Sequence, residues 1–171
     1  MRKLLLAAFF MGVINFLTIG SVFAADVKIG VIDTQKIMIE SRAAKNARAV
    51  FLKDVEGKRK LLIGKQNEVQ AMDEDLKKNG KDMAPQVRKE KADKLAREVK
   101  ELKRLRSDVE EELKKKEMEL VRKLRGDIRE IVREYSKKEK YTVILEKRSV
   151  VASDEAIDIT DKIIRLYNVV K

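Results

Sequence analysis

The chain has 171 residues and carries 40 Lys and Arg against 29 Asp and Glu, a formal net charge of +11. It contains neither cysteine nor histidine, which excludes disulfides and thiol catalysis and removes the commonest general base and the commonest zinc ligand. We therefore expect no enzymatic activity, no metal and no cofactor.

The first residues have the pattern of a secretory signal peptide, which we place at residues 1–24. Arg2 and Lys3 form a basic start, residues 4–19 are mostly apolar, and residues 22–24 offer a small-residue cleavage site. An uncleaved membrane anchor is the alternative, disfavoured because the apolar run is short and interrupted by polar residues. The sequence thus predicts an exported protein, which is periplasmic if the cell has two membranes.

A short apolar run, Lys28–Asp33, predicts a β-strand directly after the signal peptide. Asp33 or Thr34 then offers a side-chain oxygen to cap the helix that follows. This helix contains Gly57 and Gly64, each of which costs about 1 kcal/mol relative to alanine. We expect it to be the less stable of two long helices.

Residues 35–140 predict a long antiparallel helical hairpin, a coiled-coil arm with its tip near residues 79–85. Apolar residues recur at steps of three, four and seven through both halves, which is typical of long amphipathic helices. Between the halves, Gly80 is placed to end one helix and Pro85 to begin the next. Because this break is short, the helices should fold back on each other and extend far from a compact body.

The positive charge lies on the predicted arms. Residues 35–79 hold 11 basic and 7 acidic side chains, and residues 86–140 hold 20 and 14. Such an excess attracts polyanions, although a merely solubilising helix face is an equally good interpretation. Nucleic acid is disfavoured because the chain is exported and no aromatic residues alternate with the basic clusters. The basic residues that would attract an acidic partner are Lys58, Arg59, Lys60, Arg88, Lys89, Lys91, Lys103, Arg104 and Arg106.

Four apolar residues of the arms fall outside the helical stripe. They are Leu61, Ile63, Met118 and Val121. Two interpretations stay open: these residues line a weakly apolar inner face, or they mark local stutters in the coiled coil.

After the second arm the sequence predicts a β-hairpin and a last helix. Two β-branched runs, residues 141–145 and 149–152, are joined by a short polar loop. The last helix is capped by Asp158 or Thr160. Its predicted apolar face consists of Ile159, Ile163, Leu166 and Val170.

Residues 25–34 and 141–171 together predict a small α/β body of about 40 residues, near the size at which a domain needs disulfides, metal or oligomerisation. Without cysteine or an obvious metal site, oligomerisation is the remaining option. We predict a mainly α protein whose small β core is shared between subunits. The residues expected in this oligomerisation body are Ile29, Val31, Tyr141, Val143, Leu145 and Val150.

The order of these elements resembles the Skp/OmpH family of periplasmic chaperones over essentially the whole chain after the signal peptide. The specific part is the C-terminal run of residues 141–147 followed by Asp158-Ile159-Thr160-Asp161. The resemblance implies a homotrimer that extends three helical arms around a cavity. It also implies an ATP-independent holdase whose clients are unfolded outer-membrane proteins, so the basic arm residues named above become the candidate client-attracting residues. Lipopolysaccharide or another anionic lipid is a further partner of some members, but no residues here are assigned to it.

Two other functions remain open at this point. A structural coiled-coil protein of the envelope would use the arms as spacers and bind no client. A peripheral binder of anionic lipid would associate with membranes in a way that salt reverses.

Overall fold

Helices form most of residues 27–170, the part of the chain that the computed structural model describes. The predicted signal peptide lies outside the described residues. In chain order the strands and α-helices are β1 (Ile29–Ile32), α1 (Thr34–Glu40), α2 (Arg42–Asn79), α3 (Pro85–Lys138), β2 (Val143–Glu146) and α4 (Thr160–Val170). Single turns of 3₁₀ helix at Lys147–Ser149 and Glu155–Ile157 lie between β2 and α4. The mainly α fold with a small sheet is confirmed.

The two long helices, α2 and α3, pack against each other as an antiparallel hairpin. Four ion pairs join the helices, and residues later in α2 pair with residues earlier in α3. This order shows that the two helices are antiparallel. These pairs are Asp54 with Lys116, Lys58 with Glu112, Lys65 with Glu98 and Asp75 with Lys91. Within residues 27–170, no helix is both long enough and apolar enough to cross a membrane.

Gly80 and Pro85 flank the turn between the arms. The amide of Gly80 donates to the carbonyl oxygen of Leu76 over 3.0 Å, and a Cβ at Gly80 would overlap that same oxygen. The backbone of Gly80 stays in the ordinary helical region, with φ −61°. Glycine is therefore required here by the close approach of the Leu76 oxygen and not by an unusual backbone conformation. Pro85 occupies the first turn of α3, where its missing N–H has no partner to lose.

The first long helix is interrupted at Ser41, which the periodicity did not indicate. Ser41 is extended, with ψ 145°, and fully buried. Its Oγ accepts a hydrogen bond from the amide of Ala44, so this serine caps α2. As a result α1 packs against α4 in the body, and the arm helix begins at Arg42.

The small sheet consists of β1 and β2 paired in parallel, with Ile29 opposite Val143 and Val31 opposite Leu145. The strands run parallel because the long hairpin between them returns the chain to its starting end. The predicted β-hairpin after the second arm is wrong: the chain turns at Lys147–Ser149 and residues 150–154 pair with no described strand. The other edge of β1 instead bridges to Asp158.

The core lies where α1, α4 and the roots of both arms meet. Its fully buried side chains include Ile37, Ile128, Ile159, Ile163 and Tyr167. On α4, Tyr167 is buried and Val170 is exposed. The predicted apolar face is therefore wrong at Val170, its last residue. The steps of four from Ile159 through Ile163 to Tyr167 keep one line of α4 against the core.

Candidate functional site

One face of the two-stranded sheet is apolar and open. Because side chains alternate along a strand, Ile29 and Val31 share a face with their paired neighbours Val143 and Leu145. Ile29, Val143 and Leu145 are 40%, 38% and 40% exposed, whereas Val31 is buried. Four of the six predicted oligomerisation residues therefore lie together, and three of them are exposed in a single chain.

Tyr141 packs within the chain. Its ring centroid lies 5.8 Å from that of Tyr135, and Nζ of Lys28 lies 4.2 Å from its centre. A Cβ at Gly30 would lie only 2.9 Å from Cε1 of the Tyr141 ring. Tyr141 thus covers β1 on the side opposite the open apolar face.

Val150 and Val151 follow the 3₁₀ turn after β2. Val150 is half-buried with an extended backbone, φ −111° and ψ 121°, and Val151 is fully exposed. Val150 is therefore an extended, β-branched residue without a strand partner among residues 27–170. Extended backbone without a partner can pair with another chain.

The nine predicted client-attracting cations divide into two groups. Four form ion pairs within the chain: Lys58 with Glu112 at 2.6 Å, Lys60 with Glu56 at 2.9 Å, Lys91 with Asp75 at 2.6 Å and Arg104 with Asp108 at 4.0 Å. The other five are exposed and form no ion pair with any described residue. They are Arg59, Arg88, Lys89, Lys103 and Arg106.

The best-developed ion network joins the middle of the arms. Nζ of Lys116 lies 2.6 Å from Oδ2 of Asp54 and 2.9 Å from Oε1 of Glu112. Hydrogen bonds from Lys58 and then from Lys116 lower the pKa of Glu112 to about 2. Hydrogen bonds to Asp54 and Glu112 raise the pKa of Lys116 above its usual range. These four charged side chains neutralise one another and hold the arms together.

A second charged cluster links the 3₁₀ turn after β2 to the start of α4. Nζ of Lys147 lies 2.8 Å from Oδ2 of Asp158, whose other oxygen accepts from the amide of Thr160. Burial would raise the pKa of Asp158, but the hydrogen bonds from Lys147 and Thr160 outweigh it and lower the pKa to about 2. This cluster holds the first residue of α4 and has a structural role.

A groove on α3 was not predicted from the sequence. An open concavity of 760 Å³ lies along residues 114–129 of this helix. Its lining combines basic and apolar side chains, among them Lys114, Met118, Val121, Arg122, Arg125 and Arg129. The sequence does contain a pattern that indicates this groove. Its arginines are spaced three and four residues apart, on the same helix face as Met118, one of the residues outside the stripe.

Arg125 also borders two concavities at the root of the arms. One, of 280 Å³, is lined by Arg48, Arg125 and Arg148 together with Thr34 and Met38. The second, of 210 Å³, continues from Arg125 along α3 over partly apolar surface. Leu61 and Ile63, the other residues outside the stripe, are about half exposed on α2 and line none of these three concavities.

Among residues 27–170, no three acidic side chains are grouped so that they could hold a metal ion. Three candidate functional surfaces lie in the described part of the chain: the open sheet face, the exposed arm cations and the groove on α3. The apolar sheet face suits contact with another polypeptide, whereas the arm cations and the basic groove suit acidic partners.

A crystal structure of an OmpH-like protein from Caulobacter crescentus CB15, proposed to be an outer membrane chaperone, has a similar fold. The TM-score is 0.79, over 89% of this chain and 90% of that one, at 15% sequence identity. A comparison with curated proteins gave no match. The model of a family described as outer membrane protein (OmpH-like) matches residues 28–167, which include both strands and both arms. This chain therefore belongs to the OmpH-like family.

Proposed function

We propose that this chain is an ATP-independent holdase chaperone of the periplasm, which binds unfolded outer-membrane proteins between basic helical arms and prevents their aggregation. Membership of the OmpH-like family supports a chaperone role in general. The observation that carries the specific proposal is the set of five exposed arm cations, Arg59, Arg88, Lys89, Lys103 and Arg106, which form no ion pair with described residues. Their charge is available to a client.

The active form in this proposal is a homotrimer whose subunits share one β core. Three features support sharing: the open apolar face of Ile29, Val143 and Leu145, the outer edge of β2 without a strand partner in the described residues, and the extended Val150 followed by the exposed Val151. Exposed strand edges and apolar sheet faces are usually covered in soluble proteins. A second and a third copy would cover them here.

The proposed mechanism separates capture from holding. Long-range attraction by the arms accelerates encounter with acidic segments, and scattered apolar contacts then hold the client loosely. Because salt screens encounter between exposed charges, raising the salt concentration should slow capture more than it speeds release. A capture rate that does not respond to salt would contradict the electrostatic part.

Sedimentation equilibrium tests the proposal directly. The protein without residues 1–24 is run alone and then after dilution of a urea-unfolded outer-membrane protein into the sample. A trimer that keeps the client soluble at a defined stoichiometry supports a holdase. A monomer or dimer that leaves the client to aggregate favours a structural coiled coil, and co-sedimentation with anionic vesicles in place of client favours a lipid binder.

Export is tested separately by the start of the protein recovered from cells. Cleavage after Ala24 predicts a mature chain that begins at Ala25 in the periplasmic fraction. Intact residues 1–24 on a membrane-bound protein would instead indicate an anchor.

A further inference from the structure

One face of α3 changes character along its length. The face is formed by residues spaced three and four apart, which begin with Arg97 and Lys100 and end with Arg125 and Arg129. Towards the tip, the concavity on this face is lined only by charged and hydroxyl side chains, residues 97–107. Towards the root, in the groove along residues 114–129, apolar side chains lie between the basic ones.

The apolar part of the groove on α3 is exposed. Met118 is 57% exposed, Val121 is half-buried, and Gly126 has no side chain at all. A Cβ added at Gly126 would meet nothing within 4 Å, so the groove is open at this point. Exposed apolar surface rimmed by polar groups is typical of an interaction site.

The charge of the groove is unbalanced. Four basic side chains line it against one acidic residue, Glu117. Lys114, Arg122, Arg125 and Arg129 form no ion pair with any residue in the described part of the chain, unlike Lys116 on the packed side of α3. Arginine binds carboxylates through paired hydrogen bonds, so this lining favours an acidic ligand.

The groove also has a direction and an end. At about 1.5 Å per residue, residues 114–129 extend about 22 Å, the length of about seven residues of extended polypeptide. At the root end, Arg125 is shared with the concavity that contains Arg48 and Arg148, arginines from two other parts of the fold. An extended segment lying in the groove would reach this second group of arginines.

We propose that the groove on α3, together with Arg48 and Arg148, is a docking site for an extended polypeptide segment that carries both acidic and apolar side chains. Carboxylates pair with the arginines, and apolar side chains contact Met118 and Val121. Gly126 lets the backbone of the segment approach the helix. This inference rests on the holdase function proposed above. It assigns close contact with the client to the root of the arms and leaves long-range attraction to the exposed cations of the predicted basic clusters.

Charge-matched variants test the proposal. In one, Arg122, Arg125 and Arg129 are replaced by Gln. In the control, Lys94, Arg97 and Lys100, exposed on the same helix and likewise without ion pairs to described residues, are replaced by Gln. Both variants lose three charges. If only the overall positive charge of the arms attracts the client, both should lose the same affinity for it. If the client docks in the groove, the first variant should lose about tenfold more affinity than the control. Unchanged circular dichroism at 222 nm verifies that both fold.

A label in the groove gives a second readout. Because the chain has no cysteine, Gly126→Cys places a single thiol in the groove, and Gly57→Cys places one in open space on the other arm. A fluorophore at position 126, but not at 57, should respond to a peptide in which Glu alternates with Leu. The same peptide with Gln in place of Glu should bind about tenfold more weakly.

Other occupants would overturn the proposal. A response at position 126 to anionic vesicles but not to the Glu peptide would identify a lipid surface. Disulfides between Gly126→Cys subunits, with no response to peptide, would identify a face covered by a second copy. If the unaltered protein fails to keep an unfolded client soluble, the holdase proposal fails, and the peptide titration still decides the groove. If it succeeds but both triple variants behave alike, only the groove is wrong.

Discussion

The hydroxyl of Tyr167 donates a hydrogen bond of 3.2 Å to Oδ2 of Asp127, which joins α4 to the root of the second arm. The side chain of Tyr167 is fully buried in the same core as Ile128. The body and the arm therefore share one core, and the arm is anchored to the body at its root.

Replacing Tyr167 by Phe should lower the free energy of unfolding by about 1 kcal/mol, the usual value of a lost hydrogen bond. Burial, with the charge of Asp127, raises the pKa of Tyr167 to about 12. A raised pKa means that this contribution is complete below pH 10 and is lost as pH rises from 10 towards 12. Urea unfolding at pH 8 and pH 11 measures both. An equal alkaline loss in Tyr167→Phe would contradict the assignment to this phenol.

Gly30→Ala should destabilise the body by about 1–3 kcal/mol through overpacking. The new Cβ would lie 2.9 Å from Cε1 of Tyr141 and 3.2 Å from Cδ1 of Ile159. The Tyr141 ring is itself packed beside Tyr135, so it has little room to move. Gly126→Ala is the matched control: nothing lies near its Cβ, and the helix should gain about 1 kcal/mol. Thermal unfolding of both variants should show shifts of opposite sign.

The long helices were predictable because periodicity and the break at Gly80 and Pro85 are local signals. The capping role of Ser41 was not predictable. The sequence does not show whether a serine within a helical run is buried, or which hydrogen bonds its side chain makes. The residues 149–152 have strand propensity, but a strand also needs a partner, and the described part of the chain provides none. Pairing between distant segments lies outside what a local pattern can indicate.

The candidate site was only partly predictable for a similar reason. Consecutive basic residues such as Lys58-Arg59-Lys60 are conspicuous in the sequence, yet they point in different directions around a helix. Two of these three are held in ion pairs within the chain. Arg122, Arg125 and Arg129 are dispersed in the sequence but lie on one face, so a helical projection reveals them where a search for runs does not.

Gly57→Ala with Gly64→Ala should stabilise the first arm by about 1 kcal/mol per site, because both glycines lie inside α2 and nothing lies within 4 Å of either Cβ. If these glycines let the arm bend around clients of different size, the double variant should also hold a narrower range of clients. Hydrogen exchange along α2 and solubility assays with small and large clients measure the two effects. Slower exchange with an unchanged client range would exclude a hinge at these positions.

Acid should weaken the pairing of the arms. Because the pKa of Glu112 is lowered to about 2 in the fold, its contribution is present above its ordinary pKa of 4.5 and is lost as pH falls from there towards 2. The melting temperature should fall over this range, and Glu112→Gln should fall less. High salt should reduce the difference between the two proteins, since these charges are exposed to solvent. Identical acid profiles would show that other carboxylates control the transition.

Leu145→Asp should abolish subunit association if the open sheet face is the shared core. The side chain is 40% exposed in the single chain, so the fold of one subunit tolerates the change, but a carboxylate buried at an interface without a partner costs several kcal/mol. Val169→Asp is the control, because Val169 is also a large apolar residue and is 84% exposed, but it belongs to α4 and not to the sheet. Sedimentation equilibrium should give the mass of one chain for Leu145→Asp and of the full oligomer for Val169→Asp. An oligomer that survives Leu145→Asp would move the interface away from this face and leave the segment at Val150 and Val151 as the remaining contact to test.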